Sequence, residues 1–250
     1  MDSIETGRQL LKATSWARAH EIETDQRKGV PHPPLQKPPQ EGAPRMALPD
    51  PKTLPVNPVP VFDAIAARRS HRRFTLDPLS VEELTFLLWA TQGVQRVVRD
   101  GVASLRTVPS AGARHPFETY LVVNRVTGLE PGLYRYLALN HELCFLRSDP
   151  DLPAKVSDAC LGQEFVGQGA AVFAWAVIPY RTEWRYSLFS HKVIAIDVGH
   201  VCQNLYLACE AIGAGTCGIG AYHQEKVDAL FGVDGVDEFV IYLAPVGKVK

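Results

Sequence analysis

The chain has almost no net charge. Its 26 lysines and arginines meet 27 acids to leave −1, with a pI near 6.7, so nothing favours bulk attraction to nucleic acid or a membrane surface. Cysteine is sparse and patternless: Cys144, Cys160, Cys202, Cys209 and Cys217 form no CxxC pair and are odd in number. That excludes a readable metal or disulfide framework and leads to the expectation of free thiols in a reducing cytoplasm. No HxxxH, His–Asp pair or acidic cluster suggests a metal. Long apolar runs are missing too. The longest, 170–178, suits a buried strand and is far too short to span a bilayer. Residues 1–16, with Glu5, Arg8 and Lys12 scattered through them, lack the apolar core of a signal peptide. No internal repeat is visible. The remaining composition, 46% hydrophobic and 21% charged over 250 residues, is that of a soluble globular protein. It can bury a full core as one large domain or a domain with an extension.

Proline, by contrast, is concentrated. Eleven of the 19 prolines fall between positions 31 and 60, a stretch that cannot hold a helix and lacks the amide donors of a central strand. It is expected to be an extended arm, draped over the body or over a partner subunit. This divides the chain into an N-terminal segment, 1–60, and a compact domain, 61–250. Residues 6–27 are compatible with a helix but show no firm apolar stripe.

Within the compact domain, Phe62, Ile65 and Ala66 begin a short helix that stops near Arg69. Leu79-Ser80-Val81-Glu82-Glu83-Leu84 reads as a helix start, with Ser80 as cap, Glu83 closing a capping box and Leu79 stapling onto Leu84. Gly93 is the expected left-handed residue after that helix. Strands are expected over 117–124 and 170–178, and a hairpin over 133–139 and 142–146 around Asn140-His141. Ile194, Val198, Val201, Leu205, Ala208 and Ile212 recur at steps of four and three, the stripe of a long buried helix over 191–212 that Gly213 ends. A glycine-rich turn over 213–220, a short helix over 224–231 and a last strand over 239–246 follow. Helices and strands mix without a regular βαβ beat. The fold class expected is α+β, a largely antiparallel central sheet flanked by helices.

Three segments carry the chemistry. Residues 68–73 place four arginines and a serine in six positions. Guanidinium groups offer planar forks of donors that match phosphate oxygens, so this is either a pocket for a phosphate-bearing small molecule or a solvated basic face. Residues 108–116, VPSAGARHP, form a loop of small residues ahead of a strand, either an ordinary connection or a place where backbone amides approach a flat ring. The third, GAGTCGIG at 213–220, closes a helix instead of opening one, so it is not a Rossmann fingerprint. His115, His191 and His200 lie in or beside these motifs and read as structural residues.

Taken together and in this order, RRSHRRF at 68–74, PSAGARHPFETYLVV at 109–123 and DVGHVCQNLYLACEAIGAGTCGIGAY at 197–222 resemble the FMN-dependent nitroreductase superfamily. The resemblance is closest to its SagB-type, azoline-oxidising branch, and covers about residues 60–250. It implies a nitroreductase-like, intertwined homodimer with FMN at the subunit interface and hydride chemistry at the flavin. Arg68, Arg69, Ser70 and Arg72 match the segment that holds the FMN phosphate and part of the flavin edge. Pro109, Ser110, Ala111 and Gly112 match the loop that approaches the cofactor from the other subunit. Gly218, Ile219, Gly220 and Ala221 match the turn against the flavin ring, and Lys248 and Lys250 stand where a basic residue often reaches the phosphate.

One departure matters. The azoline dehydrogenases of that branch carry Trp-Lys-Tyr, whose lysine and tyrosine remove substrate protons; here the triplet is Trp184-Arg185-Tyr186. Arginine stays protonated where a buried lysine can titrate. Tyr186, as proton donor or relay, and Arg185 are the candidate catalytic residues. The leading expectation is an oxidoreductase passing hydride from NAD(P)H through FMN to a nitro compound or quinone. The rivals are a peptide-azoline dehydrogenase working with partner proteins and a non-catalytic flavin-binding protein.

Overall fold

The computed structural model describes residues 3–250; the first two residues of the N-terminal segment expected over 1–60 lie outside it. Helix α1 (Ser3–Leu11) and a 3-10 segment (Thr14–Glu21) precede strand β1 (Arg45–Ala47). Then come α2 (Val61–Ala67), β2 (Leu79–Ser80), α3 (Val81–Gln92), β3 (Val94–Val98), β4 (Ala103–Arg106), β5 (Phe117–Val123), β6 (Val126–Thr127), β7 (Gly132–Leu137) and β8 (Glu142–Arg147). The chain finishes with α4 (Leu152–Ala159), α5 (Glu164–Gln168), β9 (Ala171–Val177), α6 (Tyr180–Tyr186), α7 (Ser190–Ala211), β10 (Ala214–Thr216), α8 (Gln224–Phe231) and β11 (Phe239–Lys248).

Seven strands make one sheet in the order β1-β8-β7-β5-β9-β11-β10, with every neighbouring pair antiparallel. The α+β expectation holds. Period-two alternation along β9 divides the interior. Ala171, Phe173, Trp175 and Val177 enter a core with α3 and α7, while Val172, Ala174 and Ala176 enter a second core with α4, α5 and α8. Because both faces of β9 are covered, its sequence is a continuous apolar run.

Local signals explain the elements that hold the site. Ser80 Oγ accepts from the Glu83 amide at 3.1 Å and Glu83 Oε2 accepts from the Ser80 amide at 2.9 Å, closing the capping box of α3. Leu79 and Leu84 are both fully buried beside it. The stripe on α7 is buried along its whole length, and Gly213 follows at φ +61°. Gly93 differs from expectation: its φ is −56°, outside the left-handed region. It is required by crowding instead, since a Cβ there would lie 2.4 Å from the Trp89 ring. The stretch 213–220 is also more than a turn. Its first part is β10, paired to β11; glycine in a strand weakens its own signal. Strands β3 and β4, joined through the positive-φ residues Arg99, Asp100 and Gly101, were not anticipated.

The proline-rich arm lies on the body of its own chain. Strand β1 pairs with β8 at the edge of the sheet. Upstream, the arm offers few amide donors but many carbonyls, and side-chain donors from the body meet them. Pro33 O accepts from Arg114 at 3.3 Å, Leu35 O from Arg106 at 3.4 Å, Pro38 O from Arg135 at 2.5 Å, and Val30 O from the Trp184 indole at 2.8 Å. The Lys37 amide donates to Glu118 at 2.7 Å. Glu118 also forms a buried pair with Arg181 at 2.5 Å.

Candidate functional site

The first and third motifs come together. Ser70 bridges Thr216 in parallel fashion and the His71 amide donates to Thr216 O at 2.9 Å, so residues 70–71 run alongside β10. Tyr206 of α7 ties the two: its hydroxyl lies 3.1 Å from Ser70 Oγ and accepts from the Gly218 amide at 2.8 Å. The Arg68 guanidinium sits 5.3 Å over the Tyr206 ring. Tyr206 was not singled out from the sequence, because a tyrosine beside a leucine in an apolar helix carries no signal of its own.

Packing already accounts for two of the glycines. A Cβ on Gly215 would meet His71 at 2.6 Å, and one on Gly218 would meet the Tyr242 hydroxyl at 2.2 Å. They allow residues 70–71 and β11 to close on this turn. Gly220 has nothing within 4 Å of such a Cβ and is exposed, as is Ala221. Ile219 is buried and exchanges backbone hydrogen bonds with Leu243. Burial raises the Tyr242 hydroxyl, and pushes the neighbouring Cys202 thiol up to about 12, so both remain protonated at neutral pH.

The arginines differ in what they do. Arg69 Nη1 donates to the carbonyls of Ala66, Ala67 and Arg68 at 2.8, 3.1 and 2.9 Å, satisfying the end of α2. Arg72 lies 6.0 Å over the Phe165 ring. Among the described residues no carboxylate forms an ion pair with Arg68, Arg69, Arg72 or Arg73. Lys248 Nζ is held by Glu83 Oε1 at 2.5 Å and Ile212 O at 2.6 Å, across the C-terminal end of α7. Lys250 is exposed.

The second motif gathers elsewhere on the same chain. Ser110 Oγ donates to Asp197 Oδ2 at 2.7 Å and the Ala111 amide donates to the same carboxylate at 3.0 Å. Burial raises the Asp197 pKa, and these two hydrogen bonds oppose it. Asp197, the one buried acid of α7, is the residue that sequence reasoning passed over; its place one residue before Val198 of the apolar stripe was the available signal. Pro109 is exposed. Gly112, at φ +61°, is pressed against α6: a Cβ would meet Arg185 Cδ at 2.7 Å and the Tyr186 hydroxyl at 2.8 Å. His115 is buried, and burial followed by the charge on Arg106 lowers its pKa to about 3. It is a neutral structural residue.

On α6, Arg185 leans on Tyr186 with its guanidinium 5.6 Å from the ring centre. Trp184 packs under the Arg114 guanidinium at 5.0 Å. Asp197 and Tyr206 are nine positions apart on α7, about 13 Å at the rise of an α-helix. One chain therefore presents two clusters. Arg68, Ser70 and Gly218 meet at Tyr206; Ser110 and Ala111 meet at Asp197, and Gly112 of the same loop packs on Arg185 and Tyr186.

Among the described residues no helix is long and apolar enough to cross a membrane, and no group of His, Cys, Asp and Glu is arranged to hold a metal. All five cysteines are free and buried.

Residues 65–248 match the model of the nitroreductase family. A nitroreductase-type protein of Methanocaldococcus jannaschii is 32% identical over 74% of this chain and 89% of its own. The trifolitoxin-processing protein TfxB of Rhizobium leguminosarum bv. trifolii is 26% identical over 65% of this chain and 46% of its own, so the chain spans about half of that relative. Among solved structures, a nitroreductase-type protein of Anabaena variabilis superposes with a TM-score of 0.70 at 26% identity, over 84% of this chain and 42% of the other. Two others share the fold alone. One is the microcin synthetase McbBCD complex of E. coli, with a TM-score of 0.60, 16% identity, and 100% and 98% coverage. The other is the NADPH:FMN oxidoreductase of Vibrio harveyi, with a TM-score of 0.53, 18% identity, and 75% and 68% coverage.

Proposed function

The chain belongs to the nitroreductase family, and from that premise we propose that it is an FMN-dependent oxidoreductase that takes electrons from NAD(P)H and reduces a small organic acceptor, a nitro compound or quinone. The observation that carries this reading is Arg68 over the Tyr206 ring, in an arginine-rich segment free of any carboxylate partner among the described residues and tied through Ser70 and Tyr206 to the Gly218 amide, two residues before the exposed Gly220. Arg68 and Arg72 supply charge-assisted donors for a phosphate, and Ser70 adds a hydroxyl. Gly220 leaves the backbone bare for a flat ring. Bound there, FMN supplies two-electron hydride chemistry. The chain positions it and controls access.

The homodimer belongs to the same proposal. Val61, Phe62 and Ile65 on α2 are 69%, 77% and 59% exposed, and Ile196 on α7 is 46% exposed. Apolar surface of this kind marks an interface. A second copy facing it would bring residues 109–112, Arg185 and Tyr186 of one protomer to the arginine cluster of its partner. A cytoplasmic setting is consistent with the free thiols.

The likeness to TfxB and to the McbBCD complex favours a second reading, oxidation of azolines in a peptide. Arg185 speaks against the lysine-dependent route, because arginine does not replace lysine as a proton-abstracting base. The separating experiment starts from purified protein. Flavin absorbance, a dimer by light scattering and NAD(P)H oxidation with a nitroaromatic or quinone are expected, with no two-hydrogen loss from an azoline peptide by mass spectrometry. Protein that fails to take up FMN ends the redox reading, and robust azoline oxidation transfers the function to the second.

A further inference from the structure

Between the 3-10 segment Thr14–Glu21 and α6 lies a cavity of about 240 Å³. Its walls are unusual in being aromatic and cationic together: Trp16, Tyr186 and Phe189 with Arg27 and Arg185, and no acidic side chain. Trp16 stacks on Phe189 at 4.9 Å with 29° between planes, and lies 6.0 Å from the Tyr186 ring at 55°. Thus a single indole closes the N-terminal side, yet keeps 38% of its surface open.

The wall is anchored. The Gln26 amide donates to Trp184 O at 2.9 Å, and Arg27 Nη1 donates to Ile22 O at 3.1 Å. Arg185 packs its Cδ and Nε against Gly112, so one side chain touches both the cavity and the 109–112 loop. Neither Arg27 nor Arg185 forms an ion pair with a carboxylate among the described residues. Arg114, whose pKa is lowered to about 10 by burial and by the charges of Arg181 and Arg185, adds to the positive field on the same side. Drug-sized sites run from roughly 300 to 1,000 Å³. A space of 240 Å³ is below that range and suits one or two fused rings.

We propose that this cavity is the acceptor pocket and that it selects planar aromatic acceptors bearing a carboxylate, with the ring against Trp16 and Tyr186 and the carboxylate on Arg185. The inference rests on the reading of the protein as an FMN-dependent homodimeric reductase and names the substrate class of that site. Ring stacking recognises flatness, and a planar guanidinium recognises a carboxylate with two parallel donors. A neutral ester of the same shape satisfies only the first.

The test uses the FMN-loaded protein without a nicotinamide donor, titrated calorimetrically with 4-nitrobenzoate and with its methyl ester. The acid is expected to bind about ten- to a hundredfold more tightly than the ester. Arg185→Gln is expected to erase that preference while leaving ester binding, which also shows that the variant is folded. Trp16→Ala is expected to weaken both probes about tenfold, and KM for 4-nitrobenzoate is expected to rise in parallel. Equal affinity for the two probes in the wild type, or a preference that survives Arg185→Gln, overturns the inference. Failure of the parent reading looks different: the protein takes up no FMN, or does not oxidise NAD(P)H with a neutral quinone.

Discussion

Arg106, Arg114, Arg135 and Arg181 are 7%, 0%, 3% and 2% exposed, and most of their donors go to the carbonyls of residues 33, 35, 38, 102 and 181, to Gln92 and Ser104, and to the carboxylate of Glu118. Arg68, Arg69, Arg72 and Arg73 sit on the surface or partly so. Of these, Arg69 satisfies its own helix end, while Arg68 and Arg72 rest on aromatic rings. The first set spends its hydrogen bonds inside the protein and fastens the arm. The second keeps donors in reserve. Identical side chains thus serve structure or binding according to whether the fold gives their donors a partner. A count of arginines in the sequence does not distinguish the two.

The largest expected effect comes from breaking the buried set. Arg181→Met leaves Glu118 charged and without its 2.5 Å partner, which costs about 3–5 kcal/mol in a urea titration followed by tryptophan fluorescence. Arg73→Ala is the contrast, with a change within about 0.5 kcal/mol. Equal midpoints for the two variants would dissolve the distinction between the sets.

The next effect lies in pH. Burial, and after it the charge on Arg106, lowers the folded pKa of His115 to about 3 against an ordinary 6.5. Below pH 6.5 the unfolded chain takes up a proton that the folded chain refuses. Stability from this group is therefore full above pH 6.5 and is lost as pH falls toward 3. At pH 4 the loss is on the order of 3 kcal/mol. His115→Gln should flatten this part of the stability–pH curve relative to wild type. An unchanged slope would show that the folded chain does not hold this imidazole neutral.

The smallest effect sharpens the other side. Arg68→Ala should lower FMN affinity about ten- to a hundredfold, corresponding to about 1.5–3 kcal/mol, with a urea midpoint like that of wild type. Equal FMN retention in the variant would reduce Arg68 to a surface charge.

Much of the architecture was legible. The capping box at Ser80 and Glu83, the stripe from Ile194 to Ile212 and the apolar run of β9 are local patterns, and each became the element it announced. Parts that depend on distant partners were not. Strand β10 is Ala-Gly-Thr and exists because β11 and residues 70–71 lie on either side of it. The β3–β4 hairpin had Asp100-Gly101 as its turn signal but no alternating apolar face, since β3 is largely exposed. Of the site, the three motifs were visible as motifs. Their grouping was not: Tyr206 joins the first to the third, and Asp197 draws the second aside. Proline composition marked the arm as extended, yet gave no hint that its carbonyls would be met by buried guanidinium groups.

The outermost strands of the sheet, β1 and β10, are each three residues long, while the strands just inside them, β8 and β11, have six and ten. A lone strand end is a template on which other chains can polymerise, and short, proline-bounded borders are poor templates. Pro44 and Pro49 flank β1 closely. The arm is thus also a guard against self-templated aggregation: peeled from β8, it would bare the edge of residues 142–145 to pairing with another chain.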